Sequence, residues 1–190
     1  MTFAAYMVGA GRAYDYDSSE SVGSFIATRS LLDPFRRQLQ FNNHPFFSFL
    51  EHLVYSAGGS SETAMRVLPT AAAAATVGLV VGWIVGRWGW LAGLAGGLLL
   101  AANPTFASLG RSVRGYSLLT LALVCVTVLL ERLLVERRGG EGIAYTTALA
   151  IAIATHLYAM CVLLRPRWTR TSHLASAGTT ASSTIRHLTS

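Results

Sequence analysis

Lysine is absent from this chain: all fifteen positions counted as lysine or arginine are arginine. Charge of either sign is scarce, 13% of 190 residues, against 52% hydrophobic. That is too little polar surface to cover a soluble core, so an ordinary soluble domain is excluded. The arginines form no aromatic-interleaved patch and sit mainly at the ends of apolar runs. The net charge of +6 therefore reads as membrane anchoring and orientation, and no nucleic-acid partner is expected. The two cysteines, Cys125 and Cys161, lie inside apolar runs, which excludes a disulfide framework. His44, His52 and His156 are too scattered for metal-ligand spacing, so no metal site is expected. A secretory signal peptide is also missing. Met1 to Ala10 is apolar but spans about half of the ~20 residues that a crossing needs. Residues 1–13 read as the remnant of a first span or as a lead-in on the membrane surface.

What the chain has is apolar length. Four segments approach spanning length within residues 61–164: Leu68 to Gly86, Trp88 to Leu109, Tyr116 to Leu134 and Ile143 to Leu164. The expected class is all-α, an integral membrane helical bundle with interfacial amphipathic helices. Arg132, Arg137 and Arg138 make the loop after the third span the most basic, which places it in the cytoplasm. The Arg87 turn then shares that side, and the loop of Arg111 and Arg114 faces outside with residues 14–60. Two arginines on the disfavoured side point to a task there, such as holding a phosphate. Gly78, Gly82 and Gly86, and then Gly89, Gly93 and Gly97, repeat every four residues. They predict a tight hairpin packed through both smooth strips.

Residues 14–60 carry a broken helical stripe from Val22 to Leu39, with Asp33-Pro34 as the start of a second short helix. After Pro45, Phe46, Phe47, Leu50, Leu53 and Val54 mark one face and Ser48, Glu51 and His52 another. Such short helices suit the interface plane. Ser60 or Ser61 is placed to cap the span that follows. Residues 165–190, rich in serine, threonine and arginine with no acid, read as a disordered tail or an out-of-frame ending.

Asp15, Asp17 and Glu20 lie within six residues, beside Tyr14 and Tyr16. Neighbouring carboxylates raise one another's pKa, which can leave one able to take a proton from a hydroxyl. On local sequence alone, a helix cap at Asp17 or Ser18 is the stronger reading. Asn42, Asn43 and His44 before Pro45 can hold a phosphate or sugar hydroxyls, or simply form a turn with Asn43 as a cap. Arg111 and Arg114 are spaced to share a helix face, ahead of Tyr116, and suit either a substrate phosphate or lipid headgroups. His156 falls inside the last apolar segment, where a neutral histidine hydrogen-bonded to a neighbouring helix is the favoured reading.

In order, these motifs resemble one known family. They are the acids, Asn42-Asn43-His44-Pro45-Phe46-Phe47, Ser61 to Pro69, Ala102-Asn103-Pro104, Arg111 to Leu119 and Thr155-His156-Leu157-Tyr158. The resemblance is to the N-terminal part of bacterial polytopic C-type (GT-C) glycosyltransferases, the dolichyl-phosphate-mannose protein mannosyltransferase and aminoarabinose transferase family. It covers roughly Tyr14 to Leu164. It implies transfer of a sugar from a polyprenyl-phosphate donor to an extracytoplasmic protein, lipid or glycan acceptor at the plasma membrane. It further implies an aspartate general base, best matched by Asp17 with Glu20 and Asp15 as rivals, and His44 on the lipid phosphate. Arg111 and Arg114 would line the same cavity. No cofactor is identified, and a divalent cation is left open. Family members have a complete first span and many later ones, so the chain reads as a truncated member. The alternative readings are a non-catalytic polytopic fragment or a transporter-like subunit.

Overall fold

The computed structural model describes residues 1–36, 43–135 and 139–156. Asn42, Arg137, Arg138, Tyr158, Cys161 and the 165–190 segment lie outside the described residues. Every regular element among the described residues is helical. Two helices, 62–88 and 116–134, are long and apolar enough to cross a membrane, with mean hydropathies of 1.8 and 2.1. A bent pair brings the total to three if it forms one span.

The lead-in forms a short helix, α1 (Thr2–Met7), and α2 (Tyr16–Ser21) follows. Asp15, not Asp17 or Ser18, caps α2, its carboxylate accepting from the Ser18 amide at 3.0 Å. The chain continues through a π-helical turn (Val22–Ile26) to α3 (Asp33–Arg36). Next comes α4 (Pro45–Ser56), which begins at its proline as expected because that position needs no amide donor. Ser61 caps α5 (Glu62–Met65), its hydroxyl accepting from Ala64 N. Asn43 caps nothing: its side-chain amide donates to Pro34 O at 2.7 Å and so fastens α3 to α4.

Then come α6 (Val67–Trp88), α7 (Trp90–Ala102), α8 (Pro104–Arg111), α9 (Tyr116–Leu134) and α10 (Gly142–Thr155). Only Gly89 separates α6 from α7, at φ 84° and ψ 171°, a conformation open essentially to glycine alone. The expected hairpin is therefore present, but its packing differs from expectation. A Cβ on Gly93 would sit 2.3 Å from a Val85 methyl, and one on Gly97 2.3 Å from a Val81 methyl. The Gly78, Gly82 and Gly86 strip instead meets nothing within 4 Å. Glycines of α7 thus receive valines of α6, and the α6 glycines open into a groove towards α9, beside Trp83, Arg87, Val128 and Arg132.

The second expected span is not straight. Proline has no amide to donate and disfavours a helical residue before it, and the chain bends by 64° at Asn103-Pro104. Asn103 turns extended and caps α8 by accepting from Phe106 N at 3.0 Å. The fourth expected span is helical from Gly142 to Thr155, and its remainder lies beyond the described residues.

Buried side chains on the long helices are small, β-branched or singly polar: Thr70, Ala72, Ala73, Thr76 and Val77 on α6, and Ser117, Ala122, Val126 and Val128 on α9. Thr70 satisfies its hydroxyl on Gly110 O at 2.9 Å. On α7 the large apolar groups point outward, Leu99 being 76% exposed and Leu91, Leu94 and Leu98 exposed beside it. The same inversion governs α4. Ser48, Glu51 and His52, expected on a separate polar face, are buried together with Phe47, while Leu53 is exposed.

Gly93→Val should destabilise the α6–α7 pair by about 1–3 kcal/mol through overpacking. Gly82→Ala should be neutral or stabilising by up to about 1 kcal/mol, since it adds helix propensity and meets no neighbour. Thermal unfolding of the two variants in detergent checks the ordering.

Candidate functional site

Four segments distant in sequence meet beside the N-terminal end of α9. Ser18 fixes the first junction. Its hydroxyl accepts from the Val113 amide at 3.1 Å and lies 3.2 Å from the Ser112 hydroxyl. This brings α2 against the turn between α8 and α9, so that Asp17 meets Arg114. The guanidinium holds one carboxylate oxygen at 2.6 Å. The Asp17 side chain is 45% exposed and that of Arg114 only 12%. Arg114 also donates to the Tyr116 hydroxyl at 2.9 Å and stacks over that ring, 4.6 Å from its centre.

The second junction is aromatic. His44, 2% exposed, lies edge-on to Tyr116 with ring centres 4.8 Å apart, and 4.9 Å from His156. Gly115 makes this approach achievable, because a Cβ there would fall 2.7 Å from the His44 Cβ. His156 has left the helix, with an extended backbone, and stacks on Tyr116 at 6.0 Å. Burial, then His156 and Arg114, push His44 down to about 3, with the Thr155 backbone acting the other way. Neither ring nitrogen reaches hydrogen-bond geometry. His44 is therefore neutral around pH 7, and the positive charge of the cluster belongs to Arg114.

Asp17, His44, Arg114 and Tyr116 are thus brought together, and His156 joins them. Glu20 follows Asp17 by one helical turn on α2 and is half-buried. Asp15 is occupied as the α2 cap. Asn43 braces α3 and α4 and accepts from Ser48 Oγ at 3.4 Å. Arg111 and Arg114 do not share a helix face. The α8 helix ends at Arg111, and Ser112 is extended where Ser18 grips the turn. Arg111 points instead towards α1, over the Tyr6 ring and 3.5 Å from Ala5 O. Among the described residues no three His, Cys, Asp or Glu side chains converge as a metal-holding group.

Two residues escaped sequence reasoning. Arg66 is buried and donates to the carbonyl oxygens of Ala10, Arg12 at 2.6 Å, Ala13 at 3.4 Å and Arg111 at 3.1 Å. An arginine just before a long apolar run was the available signal, though it also suits a headgroup anchor. Glu51 is 0% exposed, neither oxygen has a hydrogen-bond partner, and burial raises its carboxyl to about 8. Its only signal was its spacing from Ser48 along the helix. Nearby, the Tyr14 hydroxyl is also buried without a partner.

Comparison with known proteins finds no match, neither a family model nor a curated protein nor a solved structure.

Two predictions come from these buried groups. Arg66→Ala strands the buried Ala10 carbonyl and loosens three part-buried ones, and should cost about 1–3 kcal/mol, with Arg66→Lys restoring only part, as read by thermal unfolding. The second concerns pH. His44 titrates at 6.5 unfolded and about 3 folded, so its contribution is complete above 6.5 and is lost as pH falls towards 3. Glu51 titrates at 4.5 unfolded and about 8 folded, so its contribution is complete below 4.5 and is lost as pH rises towards 8. Each slope is about 1.4 kcal/mol per pH unit, and the two cancel between 4.5 and 6.5. Unfolding temperature against pH should show a plateau there with a fall on both sides. Glu51→Gln should remove the alkaline fall and replace the plateau with a rise that continues to about pH 6.5.

Proposed function

We propose that the chain is the donor-site module of a multi-pass membrane glycosyltransferase, which moves a sugar from a polyprenyl phosphate to an acceptor outside the plasma membrane. The observation that carries this reading is the Asp17–Arg114 pair, set against His44, Tyr116 and His156 at one end of apolar helices. The outward-facing leucines of α7 and the small interior side chains suit hydrocarbon surroundings. Arg87 and Arg132 mark the opposite ends of α6 and α9, which fits a cytoplasmic side there.

The chemistry runs as a single displacement. The acceptor oxygen forms its bond to the anomeric carbon as the bond from that carbon to the phosphate oxygen breaks. The acceptor proton passes to Asp17, and polyprenyl phosphate leaves carrying the electron pair. Arg114 is the group suited to the charge that grows on the phosphate. Because Arg114 holds Asp17 in the absence of substrate, an arriving phosphate competes for the guanidinium and releases the carboxylate for its role as base. His44, being neutral, can only donate an N–H hydrogen bond to the phosphate, and Glu20 is the second carboxylate within reach of α2.

Asp17→Asn and Asp17→Ala should each lower sugar transfer by about 100-fold or more without affecting membrane insertion. The assay uses membranes carrying the chain and labelled polyprenyl-phosphate sugars. Undiminished transfer by Asp17→Asn would reject Asp17 as base. A correctly folded wild-type chain that transfers no sugar would favour the non-catalytic reading, in which the ion pair only fastens α2 to α9.

A further inference from the structure

A cavity of about 420 Å3 lies on the other side of the Ser18–Ser112 contact, walled by Arg12, Arg66, Arg111, Ser18, Ser108 and Ser112. Pockets that enclose a whole organic ligand run from roughly 300 to 1,000 Å3. Three guanidinium groups face one carboxylate, that of Asp15, which is already committed to the α2 cap. Arg66 is committed too, to backbone carbonyls, and forms a rigid wall. The two remaining arginines are exposed at the rim. Among the described residues the Arg111 guanidinium has only its 3.5 Å contact to Ala5 O and the face of Tyr6.

Arg12 makes no ion pair or side-chain hydrogen bond among the described residues. It is folded back over Gly9, whose φ is 77°, and a Cβ there would lie 3.1 Å from the Arg12 Nε. Gly9 thus leaves room for this guanidinium at the cavity, where it has no side-chain partner among the described residues. Serine hydroxyls beside planar guanidiniums match a tetrahedral phosphate. The apolar side chains of Val8, Pro104 and Ala107 on the same wall suit an organic substituent.

We propose that this cavity is the acceptor subsite: it takes a phosphate ester, gripped between Arg12 and Arg111, whose free hydroxyl is presented to Asp17. The proposal rests on the transferase reading for its role, and on the cavity alone for its ligand. Ser18 lines the cavity and Asp17 is its neighbour on α2, so the base lies one residue from the cavity wall.

Glycerol phosphate, with glycerol as the neutral control, tests the ligand by calorimetric titration of the full chain in phosphatidylcholine nanodiscs. Glycerol phosphate should bind and glycerol should not. The double variant Arg12→Ala/Arg111→Ala should bind about tenfold more weakly or worse, and Arg12→Lys/Arg111→Lys should recover part of the loss. Arg114→Ala, at the other basic site, should bind the probe like the wild type. An unchanged melting temperature of the double variant shows that the loss is not unfolding. Adding phosphatidylglycerol to the disc separates the sources: competition with the probe identifies a lipid-borne phosphate, and its absence a water-soluble one. Equal binding of glycerol, full binding by the double variant, or a loss confined to Arg114→Ala would each overturn the proposal. Binding is read without turnover. An inactive chain that still shows arginine-dependent binding fails the transferase reading alone, and an active chain whose double variant binds normally fails this one alone.

Discussion

One buried guanidinium organises the end of the molecule where the candidate site lies. Arg66, at the start of the longest helix, reaches carbonyls in residues 10–13 and at Arg111, and stacks over Tyr14 at 5.2 Å. Those carbonyls belong to segments with no regular partner of their own, a lead-in loop and a helix C-terminus. One five-donor side chain shared among these four carbonyls ties both segments to the start of α6, and the buried one, Ala10 O, would cost about 1–3 kcal/mol if left without a donor. The position of α2, and with it Asp17, follows from that arrangement together with the Ser18 contacts to the α8–α9 turn.

Small and β-branched side chains fill the interior faces of the long helices, glycine, alanine, serine and threonine together with Val77, Val126 and Val128, while the leucines of α7 face outward. Close backbone approach, as where Gly93 receives Val85, replaces the burial of large side chains. On α4 the same logic places Ser48, Glu51 and His52 against the protein. His52 settles its ring nitrogen on Ile26 O at 2.7 Å, while Glu51 finds no partner and stays protonated near neutrality. Burial has likewise removed the charge of His44. The site therefore concentrates its positive charge in arginine, which burial cannot neutralise.

Arg111 and Arg114 show how a short turn divides labour. Three residues apart, they would share a face on a continuous helix. The extended Ser112 ends that continuity, so one guanidinium turns to Asp17 and Tyr116 and the other to the cavity beside α1. The result is two basic sites on either side of a serine partition.

Apolar run length, the start of α4 at Pro45, a serine cap at residue 60 or 61 and a hairpin turn near Arg87 were legible in the sequence. Each depends on a residue and its immediate neighbours: hydropathy over a window, a missing amide, a hydroxyl one turn away, a charged break between two apolar runs. The grouping of Asp17, His44, Arg114 and Tyr116 was legible only as an expectation carried by resemblance. Which acid caps α2, which glycine strip packs, which face of α4 is buried and where each arginine points were decided by tertiary structure. Those outcomes depend on competition among partners far apart in the chain. A carboxylate can cap a helix or meet a guanidinium, and only the assembled neighbours determine which occurs.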